Sequence, residues 1–583
     1  MRSMSVAQRT GQVTADALRA NRGTFVVAML IISLGFWLIF PAMLIFIETF
    51  NVADNMFADP WHWGLDNWRQ ALARPSIWQA LWNTVRVWGM TFVFSFPIAV
   101  VIAWTLARTR IPGSHILEFL FWVSYMIPGI STTIAWITLM DPDLGLLNKL
   151  FELLPFVEEG PFNIFSVPGI VWAQVMANGI AGKVMLLTPA FRNMDASLEE
   201  AARVSGASTL RTMLRMTLPL MAAPMVLVSA LQMVRIFQSF EIEQLLGVPF
   251  GFYVYSTLIF RLIRLDGLPD YGTATALASV TMILVIAIIP LQRWMLHRRL
   301  YTTIRAGFRP SFVDIGGWRW VMLGVILTLL ILLTIGPMLV LVFGSFMTRT
   351  GYFQIDPIFT TSHWETVLTA RRFVLGTWTT LKLASFAAVA SPLLFSLVAY
   401  VIVRTRWRGR GILDFVIWGS AVIPGMLTGL GMLFIVLNTP FLNVLYGSFG
   451  LLMIVVLLQG NTTGVNITKG AIVQIGQDME DAGRIAGASW LRTYFLIWIP
   501  LMMPTLALIS VLNFVIAAGA TGSIILLASR DTYTLAILAL EIARSDAGTQ
   551  EEASAVGLVL MVLTVGVASV AKVVGVKMGV RQR

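Results

Sequence analysis

Long apolar segments follow one another through this chain, and the clearest one extends from Thr24 to Phe50. At about 1.5 Å of rise per residue, a helix over such a segment can cross a bilayer core of about 30 Å. The composition agrees, because 57% of the 583 residues are hydrophobic and only 12% are charged. A cleaved signal peptide is the alternative for the first segment, but this run is longer than an h-region and lacks a clear small-residue cleavage site. The sequence therefore predicts an all-α integral membrane protein.

Twelve segments are predicted to span the membrane as helices. Their approximate bounds are 24–49, 82–106, 115–140, 166–190, 219–239, 273–295, 319–345, 379–403, 412–437, 449–473, 500–527 and 553–577. Glycine and polar residues interrupt the fourth and tenth, in "MANGIAGK" and "QGNTTGVN". Interruption at matching positions is typical of helices that line a pathway. Pro128–Gly129 and Pro424–Gly425 lie inside the third and ninth segments and predict kinks there.

The net charge is +11, and the basic residues behind it are concentrated in loops on one side of the predicted membrane arrangement. Basic residues lie at or beyond the ends of the second, sixth, eighth and twelfth segments: Arg108, Arg110, Arg293, Arg298, Arg299, Arg305, Arg309, Arg404, Arg406, Arg408, Arg410, Lys572, Lys577, Arg581 and Arg583. The opposite loops carry acids: Asp141, Asp143, Glu152, Glu158, Glu159, Asp266 and Asp270. By the positive-inside rule, both termini are predicted to lie in the cytoplasm. Topology thus accounts for the basic surplus, so membrane lipid is an expected partner and nucleic acid is not.

The residue types that build most catalytic and metal sites are rare. The chain has no cysteine, which excludes disulfides, thiolate metal sites and cysteine nucleophiles. Its four histidines show no metal-ligand spacing: His62, His115, His297 and His363. The nearest string to a phosphate-binding loop, "ANGIAGKVM", lacks the first glycine and the Ser or Thr after Lys183. We therefore expect no bound metal or cofactor and no ATP hydrolysis by this chain.

The chain contains an internal repeat. At an offset of 296 residues, Trp68 matches Trp364, Thr84 matches Thr380, and the strings "RTR" and "IPG" recur. Further along the offset is 281, and it relates Gly169 to Gly450, Gly206 to Gly487 and Pro219 to Pro500. The change indicates an insertion in the first half, around residues 149–168 of an outer loop. Two homologous six-span halves in parallel orientation are expected to build a pseudo-twofold pore.

The repeat divides the chain into five predicted regions. They are a cytoplasmic N-terminus with the first span and an outer loop (1–78), a first permease domain (79–296), a cytoplasmic linker with the seventh span and an outer loop (297–374), a second permease domain (375–577) and a cytoplasmic tail (578–583).

One cytoplasmic loop is repeated more closely than the spans around it. Eleven of 22 positions are identical between Glu199–Leu220 and Glu480–Leu501. Each copy predicts a helix with an i,i+4 Glu–Arg pair, ended by Gly206 or Gly487, and then a second short helix. A passive connector is the alternative, but such loops are usually short and variable. The pattern favours a docking element for a cytoplasmic partner.

The string "EAARVSGASTLRTMLRMTLP" resembles the EAA loop of the ABC importer permeases. The matching positions are Glu200, Ala201, Ala202, Gly206, Leu218 and Pro219, and in the second copy Asp481, Ala482, Gly483, Gly487, Ile497 and Pro500. Three residues depart from the pattern, namely Met216, Asp481 and Gly483. The last two imply weaker or asymmetric docking of the second loop.

The resemblance implies a type I importer architecture and a set of partners. In that family these loops dock into two copies of an ATPase subunit, which bind ATP and Mg²⁺, and an extracytoplasmic binding protein delivers the solute. Two halves fused in one chain look like the permeases for ferric iron, and thiamine, phosphonate and polyamine systems are similar. A secondary transporter is the main alternative. It would not need two matched docking loops and would more often carry intramembrane acids, which are scarce in the predicted spans.

Candidate residues for the pathway are few. Gln232 and Asn513 occupy matching positions of the fifth and eleventh spans, and Arg235 lies about one turn after Gln232. Polar groups at membrane depth usually face a bundle interior or a watery path. Alternatively, Arg235 reaches the outer interface and Gln232 bonds to a neighbouring helix. The sequence leaves both readings open.

Overall fold

The computed structural model describes residues 25–57, 60–194, 197–264, 267–297, 312–421, 423–545 and 548–577. Across these ranges the chain is helical, and its β structure is limited to three isolated bridges. The arginines before Thr24, most of the predicted linker 297–318 and the predicted tail 578–583 lie outside the described residues.

The helices follow the apolar segments, with breaks at glycine and proline. In chain order they are α1 (Phe25–Leu38), α2 (Phe40–Glu48), α3 (Asp66–Ala73), α4 (Pro75–Arg108), α5 (Ser114–Tyr125), α6 (Gly129–Met140), α7 (Leu146–Glu152), α8 (Val167–Gln174), α9 (Ala181–Arg192), α10 (Ser197–Val204), α11 (Thr209–Leu220), α12 (Ala222–Phe237), α13 (Glu241–Leu246), α14 (Tyr255–Arg264), α15 (Tyr271–His297), α16 (Trp318–Phe346), α17 (Ser362–Thr369), α18 (Arg371–Arg404), α19 (Arg410–Ser420), α20 (Gly425–Asn438), α21 (Phe449–Leu458), α22 (Asn461–Gln474), α23 (Asp478–Ile485), α24 (Trp490–Leu501), α25 (Met503–Ala518), α26 (Leu535–Arg544) and α27 (Gln550–Lys577).

Four of these helices are long and apolar enough to cross a membrane alone, namely α4, α16, α18 and α27. Seven pairs of consecutive helices could each form one bent span. The apolar part of α15, Tyr271–Ala287, is shorter. The described residues therefore contain up to eleven spans, and the count of twelve stays a prediction.

The bends occur at matching places in the two halves. The angle between α5 and α6 is 93°, and that between α19 and α20 is 111°. At both sites a proline in extended conformation, Pro128 or Pro424, caps the second helix, so the predicted kinks are complete breaks. The interrupted spans bend by 46° (α8 to α9) and 45° (α21 to α22), and the α11–α12 and α24–α25 breaks by 67° and 78°.

Paired contacts extend the repeat to the outer loops. Asn51 forms an isolated bridge with Trp63, and Met347 forms the equivalent bridge with Phe359. The Trp68 indole donates to Thr49 Oγ1 at 2.9 Å, and the Trp364 indole donates to Ser345 Oγ at 3.3 Å. Each pair is related by 296 residues.

The first span of each half packs against the other half. Helix α2 lies along α20, and a Cβ atom at Gly431 would be 2.5 Å from the carbonyl oxygen of Pro41, so only glycine fits there. Helix α16 packs in turn against α5 and α6. The halves are therefore interlocked rather than merely side by side.

The topology had predicted a surface loop between the fifth and sixth spans. The structure shows instead that this segment is buried. Its helices α13 and α14 are buried, and Tyr255 and Ile259 are fully inaccessible to solvent. The first N–H groups of a helix need partners. In α14 the N–H of Tyr255 donates to Thr84 Oγ1 at 3.2 Å on α4, which holds α14 against the long helix.

The second half has the same arrangement. The N–H of Leu535 in α26 donates to Thr380 Oγ1 at 2.8 Å. The predicted eleventh span, 500–527, was therefore too long. Its helix α25 ends at Ala518, because the next residues turn back into the protein to reach α26.

Candidate functional site

The two copies of the repeated loop fold alike. Helix α10 ends at Gly206 with φ of +83°, and α23 ends at Gly487 with φ of +82°. Beyond each glycine the chain closes the helix with the same hydrogen bond, from Ala207 N to Ala202 O and from Ala488 N to Gly483 O, both 3.0 Å. This six-to-one bond around a left-handed glycine is the Schellman motif. Both loops therefore form a helix, a sharp turn and a second helix.

A serine begins the second helix in each copy. Ser208 Oγ accepts from the N–H of Arg211, and Ser489 Oγ accepts from the N–H of Arg492, both at 3.3 Å. These side chains satisfy an N–H group that the helix start leaves free. Helices α11 and α24 each contain one π-helical turn, then reach Pro219 or Pro500 and re-enter the bundle.

The loops present most of the predicted docking residues to solvent. Glu200, Ala201, Gly206 and Pro219 are exposed, and so are their counterparts Asp481, Ala482, Gly487 and Pro500, whereas Ala202 and Gly483 are half-buried. A Cβ atom at either left-handed glycine would meet nothing within 4 Å. Val204 and Ile485 are apolar and 90% and 89% exposed. Each loop thus offers an apolar residue, an acid and open space beside a glycine.

Packing within the second loop explains why Gly483 stands where the repeated pattern has alanine. A Cβ atom there would be 2.8 Å from Ile497 Cδ1 on α24. The equivalent residues of the first copy are Ala202 and the unbranched Met216. The missing methyl group of the second copy therefore makes room for its branched isoleucine.

In each loop the exposed acid, Glu200 or Asp481, is preceded by a buried glutamate that anchors the loop. Glu199 is 2% exposed, and its carboxylate accepts from Arg108 Nη2 at 2.8 Å and from Thr217 Oγ1 at 2.6 Å. Its counterpart Glu480 is 4% exposed and accepts from the Tyr400 hydroxyl at 2.9 Å. The sequence had indicated only the local pairs with Arg203 and Arg484, whose side chains lie outside the described part of the structure. These tertiary partners were missed.

The first arginine of each "RTR" string ends a long helix and braces the loop. Arg108 Nη1 donates to the carbonyl of Met194 at 3.3 Å, and Arg404 donates to the equivalent carbonyl of Ile475. The Arg404 guanidinium also lies 4.9 Å from the ring centre of Trp498. The recurrence of "RTR" was the sequence signal for this contact, although its partners could not be read from it.

These contacts join the loops to the longest helices. Helices α4 and α18 have 34 residues each, so each is about 51 Å long at the usual rise per residue. Both end beside their loop and begin near the opposite face. Each loop is therefore attached directly to the end of a long helix.

The predicted pathway residues lie beside helix breaks. Asn513 is 3% exposed, and its Oδ1 atom would be 3.1 Å from a Cβ at Gly460, within the α21–α22 break. Arg235 is exposed, donates to the Tyr125 hydroxyl and lies 4.9 Å from the centre of that ring, where α5 ends. Gln232 is 8% exposed. Among the described residues Asn513 and Arg235 contact different helix breaks, one in each half, and do not form one site there.

A buried polar network was missed by the sequence reasoning. Glu243 of α13 is 1% exposed, and its carboxylate accepts from Gln174 Nε2 at 2.7 Å and from Ser239 Oγ at 2.6 Å. Glu241 of the same helix accepts from Thr521 Oγ1 of the second half at 2.9 Å. Buried acids are therefore present between the fifth and sixth predicted spans, although acids are scarce within the predicted spans themselves. They escaped notice because their segment was predicted to be an outer loop.

A buried lysine distinguishes the two halves. Lys183 of α9 is 1% exposed, and its ammonium group donates to Ser95 Oγ on α4 at 2.7 Å. The equivalent residue is Gly464, where the ring of Phe395 fills the space. Lys183 therefore lies at the interface between α9 and α4.

The described residues contain no group of three His, Cys, Asp or Glu side chains that could hold a metal ion. The candidate functional surfaces of this part of the chain are the two loops and the polar contacts between the halves.

Comparison with known proteins follows the same two-part pattern. The family described as "Binding-protein-dependent transport system inner membrane component" matches residues 95–301 and 393–576. A "Ferric transport system permease protein FbpB" of Actinobacillus pleuropneumoniae is 23% identical, with 92% of this chain and 76% of that protein covered. A "Putative ferric transport system permease protein FbpB 1" of Haemophilus influenzae is 24% identical, with 87% and 79% covered. A solved bacterial ABC transporter that imports alginate aligns with 48% of this chain and 98% of its own, at 19% identity and a TM-score of 0.39.

Proposed function

Because the chain belongs to the family of binding-protein-dependent transport system inner membrane components, in the fused two-half form of ABC importer permeases, we propose that it carries ferric iron across the membrane for an ATP-driven importer. The chain itself is the permease and binds no cofactor. ATP and Mg²⁺ are held by a separate ATPase.

The observation that carries this proposal is the pair of matched loops. Each has an exposed face around its left-handed glycine and a buried glutamate that ties it to the end of a long helix. Two such surfaces suit two copies of one ATPase subunit. When ATP draws those subunits together, the loops approach each other and the halves rotate, which opens the opposite face. ATP binding acts by favouring one of two conformations.

The remaining partners follow from the orientation. The loops and both termini face the cytoplasm, as the distribution of basic residues predicts. An extracytoplasmic binding protein delivers the solute to the outer face. Ferric iron is chosen because two relatives that align with 92% and 87% of this chain are named as ferric transport permeases.

The first experiment asks whether an ATPase subunit copurifies with the chain in mild detergent. We expect two copies per permease, and loss of both from the double variant Gly206→Arg, Gly487→Arg, because the arginines occupy the open space beside the turns. Gly251→Arg is the matched control. Gly251 also has a positive φ of +76° and nothing within 4 Å, but lies outside both loops. Retention of the ATPase by the double variant would contradict the docking role.

The solute is tested with purified complex in liposomes. Binding proteins loaded with ferric iron, thiamine, a phosphonate or a polyamine are compared for their stimulation of ATP hydrolysis. We expect stimulation by the ferric form. Uptake driven by an ion gradient without ATP would instead support a secondary transporter.

A further inference from the structure

Two short segments, one from each half, contact each other: residues 240–241 of the first half and residues 519–522 of the second half. A Cβ atom at Gly522 would lie 3.1 Å from Phe240 Cβ, and one at Gly519 would lie 3.5 Å from Pro128 Cβ. Thr521 Oγ1 donates to Glu241 Oε2 across the same junction. In transporters built from two repeats, the substrate passes along the junction between them. Glu241 therefore lies on the line that separates the halves.

The backbone of α6 closely approaches this carboxylate. Its Oε1 atom would be 3.1 Å from a Cβ atom at Gly129, so the glycine after Pro128 keeps the space beside it free of a side chain. Glu241 accepts from Thr521 and from backbone N–H groups of Phe240 and Glu241, whereas Gln174 and Ser239 hold the two oxygens of Glu243. Glu243 contributes negative charge and rigidity rather than a free ligand.

An unsatisfied amide lies on the same helix. Gln244 is 1% exposed, and neither Oε1 nor Nε2 has a hydrogen-bond partner in the structure. It follows Glu241 by three residues, so the two side chains share one face of α13. A buried amide with no partner is costly, and in a native protein it indicates a missing ligand, water or ion. This observation is independent of the acid itself.

We propose that Glu241 and Gln244 form a transit site for a hard metal cation that prefers oxygen ligands. The proposal rests on the proposed function and names the place where the cargo ion is held as it passes between the halves. A carboxylate, an amide oxygen and the hydroxyl of Thr521 are the ligand types that such cations take. The counterpart of residues 240–244 in the second half is Thr521–Ile525, which contains no acid. The repeated fold therefore does not itself require an acid at the position of Glu241.

The ligand count suits passage rather than storage. No third carboxylate or histidine completes a metal site in the described ranges. A site on a transport route must bind strongly enough to admit the ion and weakly enough to release it. Two or three oxygen ligands meet that condition better than a closed cage.

The test measures uptake of radioactive Fe³⁺, delivered by its loaded binding protein, into liposomes that contain the complete permease–ATPase complex. We expect Glu241→Gln to reduce uptake at least tenfold and Gln244→Leu several-fold, while both retain the ATPase. Glu241→Asp, which keeps a carboxylate, should recover part of the loss. Glu48→Gln is the matched control, because Glu48 is also a buried acid beside the other half, but it is bound by Asn51 and Asn438 where α2 meets α20 and has no part in the Phe240–Gly522 contact. It should stay within twofold of the parent.

A second readout is independent of the transported solute. Terbium(III) is titrated into the purified chain, and luminescence sensitised by nearby aromatic residues is recorded. We expect a signal in the parent that is lost in Glu241→Gln and kept in Glu48→Gln. An equal terbium signal in the parent and Glu241→Gln would overturn the site. Uptake of Fe³⁺ by Glu241→Gln within twofold of the parent would overturn it as well.

The two readouts separate this proposal from the proposed function. If the parent transports no iron but loses its terbium signal through Glu241→Gln, ferric iron is the wrong solute and the cation site stands. If the complex instead transports a polyamine and terbium does not bind, the acid serves an organic cation and the metal site is refuted.

Discussion

Arg108 and Glu199 form an ion pair of 2.8 Å in which neither side chain is more than 2% exposed. The pair joins the last turn of α4 to the first turn of α10. In the second half the Tyr400 hydroxyl donates to Glu480, and Arg404, the counterpart of Arg108, donates to the carbonyl of Ile475. The two loops therefore share a backbone fold but differ in the side chains that contact their buried glutamate.

Replacing Arg108 with methionine should destabilise the first loop severely. Removal of one partner from a buried ion pair leaves an uncompensated charge and costs about 3–5 kcal/mol. We expect a lower thermal midpoint in detergent and faster proteolysis between α9 and α11. Glu199→Gln in the Arg108→Met background should recover part of the loss, because the stranded charge is then gone. If the double variant is less stable than Arg108→Met, the pair is not the main anchor.

Tyr400→Phe should have a smaller effect on the second loop. The variant loses one hydrogen bond to a buried carboxylate, a contribution of about 2 kcal/mol. Copurification of the ATPase and proteolysis of α23 would be compared with those of Arg108→Met. An effect on the second loop as large as that of Arg108→Met on the first would contradict the asymmetry.

Alanine at Gly206 or Gly487 should strain the turn without any steric clash. Their φ values of +83° and +82° disfavour residues with a Cβ atom, by about 1 kcal/mol each, although the space beside them is open. Hydrogen exchange of Ala207 and Ala488, whose N–H groups close the turns, should become faster. Asparagine tolerates this conformation better and should cause less change. Equal exchange in the glycine and alanine forms would show that the turns are not held in this conformation.

Gly464→Ala should destabilise the contact between α18 and α22. A Cβ atom there would lie 2.2 Å from the ring of Phe395, and forced overpacking costs about 1–3 kcal/mol. Phe395→Leu should relieve the clash and make the double variant more stable than Gly464→Ala. The measurement is the thermal midpoint of the four forms. Additive losses would indicate that the ring does not occupy this space.

The pairing of Asp270 with Arg74 should make the outer face sensitive to acid. Partial burial tends to raise the pKa of Asp270, but hydrogen bonds from Thr273 and Arg74 outweigh burial and hold the pKa below its ordinary value. The group therefore stabilises the fold above the ordinary aspartate range, and the gain is lost as the pH falls through the lowered pKa. Because the pair is partly exposed, the gain is under about 1 kcal/mol.

The check on Asp270 compares the parent with Asp270→Asn. The parent should have the higher thermal midpoint at pH 7, and the difference should shrink as the pH is lowered toward 3. A difference that is constant across this range would exclude the carboxylate as its source.

Local chemistry explains which features could be predicted. The breaks at Pro128 and Pro424 and the turns at Gly206 and Gly487 depend on the backbone of single residues, so sequence shows them directly. The repeated loop stood out because its residues recur in register. The number of spans does not follow from single residues in this way. Breaks in the helices divide several apolar segments into two short helices, and each such pair can form one bent span.

The buried helices α13, α14 and α26 could not be predicted because their positions depend on tertiary contacts. Each has ten residues or fewer, too few to cross a membrane, and only the threonine hydroxyls on α4 and α18 show where α14 and α26 start. Thr84 and Thr380 did recur in the repeat, which was the available signal. The packing of the first span of each half against the other half could not be predicted from composition. Residues that face lipid and residues that face the other half are equally apolar.

The difference between Lys183 and Gly464 has a consequence for assembly. Two separate half-sized subunits would meet at their bulk concentrations and could pair with copies of themselves. Joined halves meet at an effective concentration on the order of millimolar, set by the connecting segment. Every molecule then contains one lysine-bearing and one glycine-bearing half, so mutations that suit only this pairing can accumulate. A permanently unequal pair of halves is thus a product of covalent linkage, and cutting the chain between α15 and α16 would expose it to mispairing.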